Sequence, residues 1–175
     1  MKKILVTAFF ASIIACYFWS CEKDDICAEG TATTPNMIVT FYNKENPELP
    51  KPGSFKFSIE GSDKEISKTS IDSVALPLPT NAEMAKWKFT LVTSGVGGTT
   101  NENVDYIEFK YTHNEIYVSR ACGYKSLFYL NDEEPENPNP ILTDDASENN
   151  IWIDEVIVLQ KNIENENAAH IKILY

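Results

Sequence analysis

Apolar and polar residues alternate in several short stretches of this chain, and the alternation predicts strands. From Ser54 to Glu60, Phe55, Phe57 and Ile59 share one side while Lys56, Ser58 and Glu60 share the other. That period of two marks a half-buried strand. Lys86 to Val92 repeats it with Trp87, Phe89 and Leu91, and Asp105 to Thr112 with Ile107, Phe109 and Tyr111. Met37 to Tyr42 is rich in β-branched and aromatic residues and predicts the first strand. Ile71 to Leu76 predicts a short strand stopped by Pro77 and Pro79. His113-Asn114 is a candidate two-residue turn, from which Glu115 to Ala121 returns as a partner strand. Ser126 to Leu130 predicts another strand. Ile151 to Gln160 and His170 to Tyr175 make a final pair around the polar turn Asn162 to Asn167.

Between these stretches the chain reads as loop. Asn43 to Gly53 holds three prolines, Gly61 to Lys68 is a polar turn region, and Thr93 to Asn103 is glycine-rich. Asn131 to Asn150 is a long acidic break without Lys or Arg. Short strands separated by Pro, Gly and Asn loops predict an all-β fold. The expected architecture is an antiparallel β-sandwich, Ig-like or a similar Greek key, of about seven to nine strands.

The first residues follow another pattern. Met1-Lys2-Lys3 is a basic start and Ile4 to Ile14 is an apolar run, too short for a comfortable membrane span. With the small residues that follow, this order reads as an export signal. Two cysteines lie near its end. Ile13-Ile14-Ala15-Cys16 looks like the common bacterial lipobox, and Phe18-Trp19-Ser20-Cys21 is a looser match. Parity favours Cys21: Cys16 then leaves with the signal, and Cys27 and Cys122 remain as a pair. Acylation on Cys16 instead leaves three cysteines and an orphan thiol in an oxidising compartment. The expected organisation is a cleaved lipoprotein signal over 1–20, an acylated tether carrying a disulfide cysteine over 21–36, and a β-sandwich domain over 37–175. Six residue steps from Cys21 to Cys27 span at most roughly 20 Å, so the Cys122 end of the domain is expected near the lipid.

Several stretches resemble a family of uncharacterised Bacteroidota (flavobacterial-type) lipoproteins. They are Ser20-Cys21-Glu22-Lys23-Asp24-Asp25-Ile26-Cys27-Ala28-Glu29-Gly30-Thr31, Thr69 to Leu78, Val118 to Lys125, and Gln160 to Glu166 through His170-Ile171-Lys172. The resemblance covers most of the mature chain. It implies a lipid anchor on Cys21 and a single envelope domain, and no activity. Glu22, Asp24 and Asp25, just after Cys21, resemble the signal that sends such lipoproteins to the cell surface. A solvated tether explains the same charges. The outer membrane is the expected location, facing either the periplasm or the cell exterior.

Charge narrows the partners. The chain of 175 residues carries a formal charge of −11, and loss of Lys2 and Lys3 takes it to −13. An acidic surface repels phosphate backbones, which argues against nucleic acid. The expected partners are membrane lipid, through a palmitate-type acyl group on Cys21, and an outer-membrane protein. Nothing in the sequence speaks to oligomeric state.

Candidate chemistry is sparse. His113 and His170 are the only histidines, and neither lies in a metalloprotease or nucleophile-elbow motif. His113 reads as a turn residue. His170 alternates with Lys172 on the outer face. The acidic 131–150 segment lacks the spacing of a calcium loop, so no metal and no cofactor is expected. Asp72-Ser73-Val74 resembles the O-glycosylation acceptor of exported Bacteroidota proteins and makes Ser73 a candidate site. Trp87 and Trp152 fit core packing better than a sugar platform. Arg120 is expected to reach outward past the end of its strand, and Gly123 to adopt a bulge or positive φ. The leading expectation is a non-enzymatic binding or assembly module. A surface glycan-binding lipoprotein is the alternative, and a hydrolase a more distant one.

Overall fold

A computed structural model describes residues 26–145 and 150–175. Its strands are β1 (Met37–Tyr42), β2 (Gly53–Ile59), β3 (Glu65–Ile71), β4 (Ser73–Leu76), β5 (Met84–Ser94) and β6 (Thr100–Ser119). They continue with β7 (Gly123–Leu130), β8 (Ile141–Asp144), β9 (Glu155–Val158), β10 (Asn162–Ile163) and β11 (Ile171–Leu174). The described residues divide into two compact units: 26–31 with Tyr117–Tyr124, and Ala32–Ile116 with 125–145 and 150–175.

The second unit is an all-β sandwich. One sheet has four strands in the order β4-β1-β11-β9. The other has seven, in the order β10-β7-β6-β5-β2-β3, with β8 also on β6. The short strands β8 and β10 lift the number above the seven to nine expected. Pairing is antiparallel except that β1 and β11 run side by side in parallel, with Val39 opposite Ile171.

Alternation decides which side of each strand is buried. Met37, Val39 and Phe41 of β1 face Phe55 and Phe57 of β2, Trp87 and Phe89 of β5, and Ile107, Phe109 and Tyr111 of β6 in one cluster. The sheets meet through aromatic rings: Phe41 stacks on Phe55 at 4.3 Å, and Trp152 covers Phe55 at 5.7 Å. Each such pair adds about 0.5–1.5 kcal/mol beyond the burial itself.

Four loop and turn expectations change. Gly61 to Lys68 is not all turn, because β3 begins at Glu65. As an edge strand, β3 half-buries only Ile66 and Ile71, so its pattern looks polar. The strand expected over 71–76 divides at Asp72, where the chain leaves the seven-stranded sheet for the four-stranded one. The glycine-rich segment after β5 is a tight connection of one 3-10 turn, Val96–Gly98. The turn expected at His113-Asn114 does not form; β6 passes through it for 20 residues. A two-residue hairpin turn needs positive φ, which Gly supplies readily and His does not. The chain reverses instead before Gly123, at φ 71°.

The acidic break also contains structure. β8 pairs with β6, with Leu142 opposite Ile107. Asn139 fills the gap between β7 and β8 with its side chain. Its Oδ1 accepts from Lys110 N–H at 2.8 Å, and its Nδ2 donates to the carbonyls of Lys110 at 2.8 Å and Asn131 at 2.9 Å. The amide stands in for a residue of the ladder. Asn139→Ala removes all three bonds, leaving Lys110 N–H and the Asn131 carbonyl without that partner while the Lys110 carbonyl keeps Asn131 N–H, and is expected to cost about 2 kcal/mol, read by urea denaturation.

Candidate functional site

Chemistry concentrates in two places, one in each unit. In the first unit Cys27 and Cys122 are joined by a disulfide, Cα–Cα 4.8 Å, across a separation of 95 residues. The turn that presents Cys122 is built locally. Cys122 N–H donates to Ser119 Oγ at 3.0 Å, and Gly123 supplies the left-handed residue that lets the chain reverse. On the other side of the bond, Thr31 Oγ1 donates to the Ala28 carbonyl at 2.7 Å and closes a second turn.

Around the disulfide the surface is apolar and aromatic. Ile26 is 83% exposed, Tyr117 58% and Tyr124 66%. The rings of Tyr117 and Tyr124 meet edge to face, centroids 5.4 Å apart and planes at 67°. Ile26, Ala28, Thr31 and the run Tyr117–Cys122 line an open hollow of about 600 Å³. Arg120 is exposed at the turn. Cys21, the proposed acyl-bearing residue, lies outside the described residues, as do Cys16, Glu22, Asp24 and Asp25.

The second place is Asp105 on β6. Its side chain is in phase with Ile107, Phe109 and Tyr111, so it points inward, and its exposure is 0%. Oδ2 accepts from the N–H groups of Trp152 and Ile153, both at 2.9 Å. Those two bonds anchor the segment that carries the chain from β8 in one sheet to β9 in the other. Oδ1 is buried without a hydrogen-bond partner among the described residues, and so is Oδ1 of Asp144, which stands opposite Asp105 on β8. Burial pushes the Asp105 carboxyl up to about 6, against the pull of the two N–H groups, and Asp144 and Asp145 add repulsion. Among the described residues no three His, Cys, Asp or Glu side chains are grouped to hold a metal ion.

The histidines lie apart from this carboxylate. His170 is buried rather than on the outer face, because β11 begins only at Ile171 and the alternation does not extend back to it. Its N–H donates to the Ile38 carbonyl at 2.9 Å, while Nδ1 accepts from Ile38 N–H at 2.9 Å. The residue thus pairs with Ile38 twice, and burial holds its pKa below the usual histidine value. His113 is half-buried against Phe128, ring centroids 6.2 Å apart.

The remaining candidates divide between surface and core. Ser73 is exposed at the start of β4, an edge strand. Trp87 is buried in the core, and Trp152 packs against it with Nε1 donating to the Phe89 carbonyl at 3.4 Å. In the acidic segment Asp132 pairs with Lys161, which lowers the carboxyl's pKa. Sequence reasoning missed Asp105, although its parity with Ile107 and Phe109 carried the signal. Asn139 had no comparable signal, because its partners lie on other strands.

The described molecule is therefore an all-β sandwich together with a disulfide-pinned turn. The chain belongs to a family of unknown function (DUF6452), whose model matches residues 56–175. No curated protein and no solved structure matches it.

Proposed function

We propose that the protein is a lipid-anchored lipoprotein of the outer membrane, held by an acyl group on Cys21 after removal of residues 1–20, and acting as a non-catalytic binding or assembly module. The observation that carries this reading is the Cys27–Cys122 bond. It uses both cysteines downstream of Cys21 and leaves Cys21 for acylation. A long-range disulfide also suits an exported chain. The titratable groups of the core support a structural role: Asp105 and His170 are each engaged with backbone N–H groups. The resemblance to Bacteroidota lipoproteins fits the same reading, with an outer-membrane β-barrel protein as the partner class and Ser73 as a glycan acceptor.

A glycan-binding role is the second reading, favoured by the exposed rings of Tyr117 and Tyr124. Their planes stand at 67°, which does not make one flat platform for a sugar ring.

Mass spectrometry of the protein purified from its native envelope tests the anchor. The expected N-terminal peptide begins at acylated Cys21, and the peptide containing Ser73 carries a glycan mass. A chain beginning at acylated Cys16 overturns the Cys21 assignment. Crosslinking and pull-down of the same material is expected to recover an envelope protein. Recovery of none, with retention on a glycan array, promotes the second reading.

A further inference from the structure

We infer that Ile26, Tyr117 and Tyr124 form a second, side-chain anchor that seats in the headgroup region of the bilayer beside the acyl group. The inference rests on the reading of Cys21 as the acylated residue. Three observations carry it. These side chains are largely exposed around one turn, an arrangement that costs free energy in water. Tyrosine suits a membrane–water interface, because its ring is apolar and its hydroxyl can stay wet. The covalent path then decides the occupant. Ile26 is five residue steps from Cys21, at most about 18 Å, and the disulfide ties the turn to the same short tether. An acylated Cys21 therefore keeps this surface within reach of lipid at high effective concentration, so weak contacts suffice.

The local charge specifies the kind of contact. Glu22, Asp24, Asp25 and Glu29 outnumber Lys23 and Arg120 along the tether and turn. Attraction to anionic headgroups is thus not the driving force. The contact is apolar and aromatic, and it favours a zwitterionic surface and tolerates salt.

The test uses the anchored protein in phosphatidylcholine nanodiscs doped with a gadolinium-chelating lipid, read by amide NMR. The amides of Ile26 and of Tyr117 through Tyr124 are expected to lose intensity several-fold relative to undoped discs. In Tyr117→Ser/Tyr124→Ser the loss is expected to fall several-fold, while the acyl group still holds the protein on the disc. An unchanged melting temperature shows that the variant is folded. Raising salt to about 1 M is expected to leave the native attenuation in place. Unattenuated turn amides, or attenuation indifferent to the two serines, overturn the proposal. Loss of attenuation in salt overturns the apolar contact. Intact mass reads the anchor separately. An acyl mass without turn attenuation sinks the second anchor alone. Attenuation on membranes by a chain lacking the acyl mass sinks the Cys21 reading alone.

Discussion

Asp105→Asn is expected to stabilise the protein at pH 7.5 and to leave it nearly unchanged at pH 4. The carboxyl titrates at about 6 in the folded chain against an ordinary value of 3.8. The folded state therefore binds this proton more tightly than the unfolded state. Stability from this group is greatest below pH 3.8 and is lost as the pH rises toward about 6. Each pH unit between the two values is worth about 1.4 kcal/mol, so the ionised carboxylate costs the fold about 2–3 kcal/mol at neutral pH. An asparagine keeps an oxygen for the Trp152 and Ile153 N–H groups and removes the charge. Its Nδ2 takes the place of an unpartnered carboxylate oxygen opposite Asp144, whose own Oδ1 is buried and without a partner among the described residues. A rise in melting temperature of about 5 °C at pH 7.5 is the expected reading. Asp105→Ala separates charge from hydrogen bonding: it leaves both N–H groups unpaired, so at pH 4 it is expected to cost about 2–4 kcal/mol. An Asn variant less stable than the native chain at both pH values shows that the two amides need the full carboxylate charge.

His170 acts in the opposite direction. Its pKa is lowered by burial, so its contribution is present above the unfolded value of about 6.5 and is lost as the pH falls through the folded value. Protonation also removes the lone pair that accepts from Ile38 N–H. Below the unfolded histidine value of about 6.5 the two buried groups therefore act in opposite directions. The stability of the native chain should therefore fall less on acidification than that of Asp105→Asn, which keeps the histidine loss without the carboxyl gain. Thermal melts across that range make the comparison.

The same geometry shows what alternation can and cannot convey. β1 is legible to the residue, and β2 and β5 nearly so, because each strand buries one face and wets the other. Edge strand β3 and the short β8 bury too little to leave a period. His113-Asn114 reads locally as a turn, and nothing in the local pattern shows that β6 runs on through it to Ser119. Asp105 was legible by parity and overlooked because it is charged. His170 is not legible from the period, because it lies one residue before the start of β11. The cysteine pairing is legible from parity; which surface surrounds it depends on contacts distant in sequence, and no local pattern reports those.

Removing the disulfide is expected to have the largest effect on stability. In the chain-entropy view a cross-link acts on the unfolded chain, and a closed loop near 100 residues gives an upper bound of about 4.7 kcal/mol. Cys27 and Cys122 are 95 residues apart, so nearly the whole bound applies. Cys27→Ala/Cys122→Ala should lower the melting temperature by roughly 10 °C, at about 2–4 °C per kcal/mol for a chain this size. The mechanism has its own signature. If the bond works through the unfolded ensemble, its loss lets that ensemble expand, and the denaturant slope of the double variant should exceed that of the native chain. A reducing agent should reproduce both changes in the native protein and neither in the variant. A lower melting temperature with an unchanged slope shifts the explanation to folded-state contacts around the turn. An unchanged melting temperature removes the bond as a source of stability. What is left to the bond is then its geometric effect: it holds the Cys122 turn within six residue steps of Cys21, roughly 20 Å at full extension.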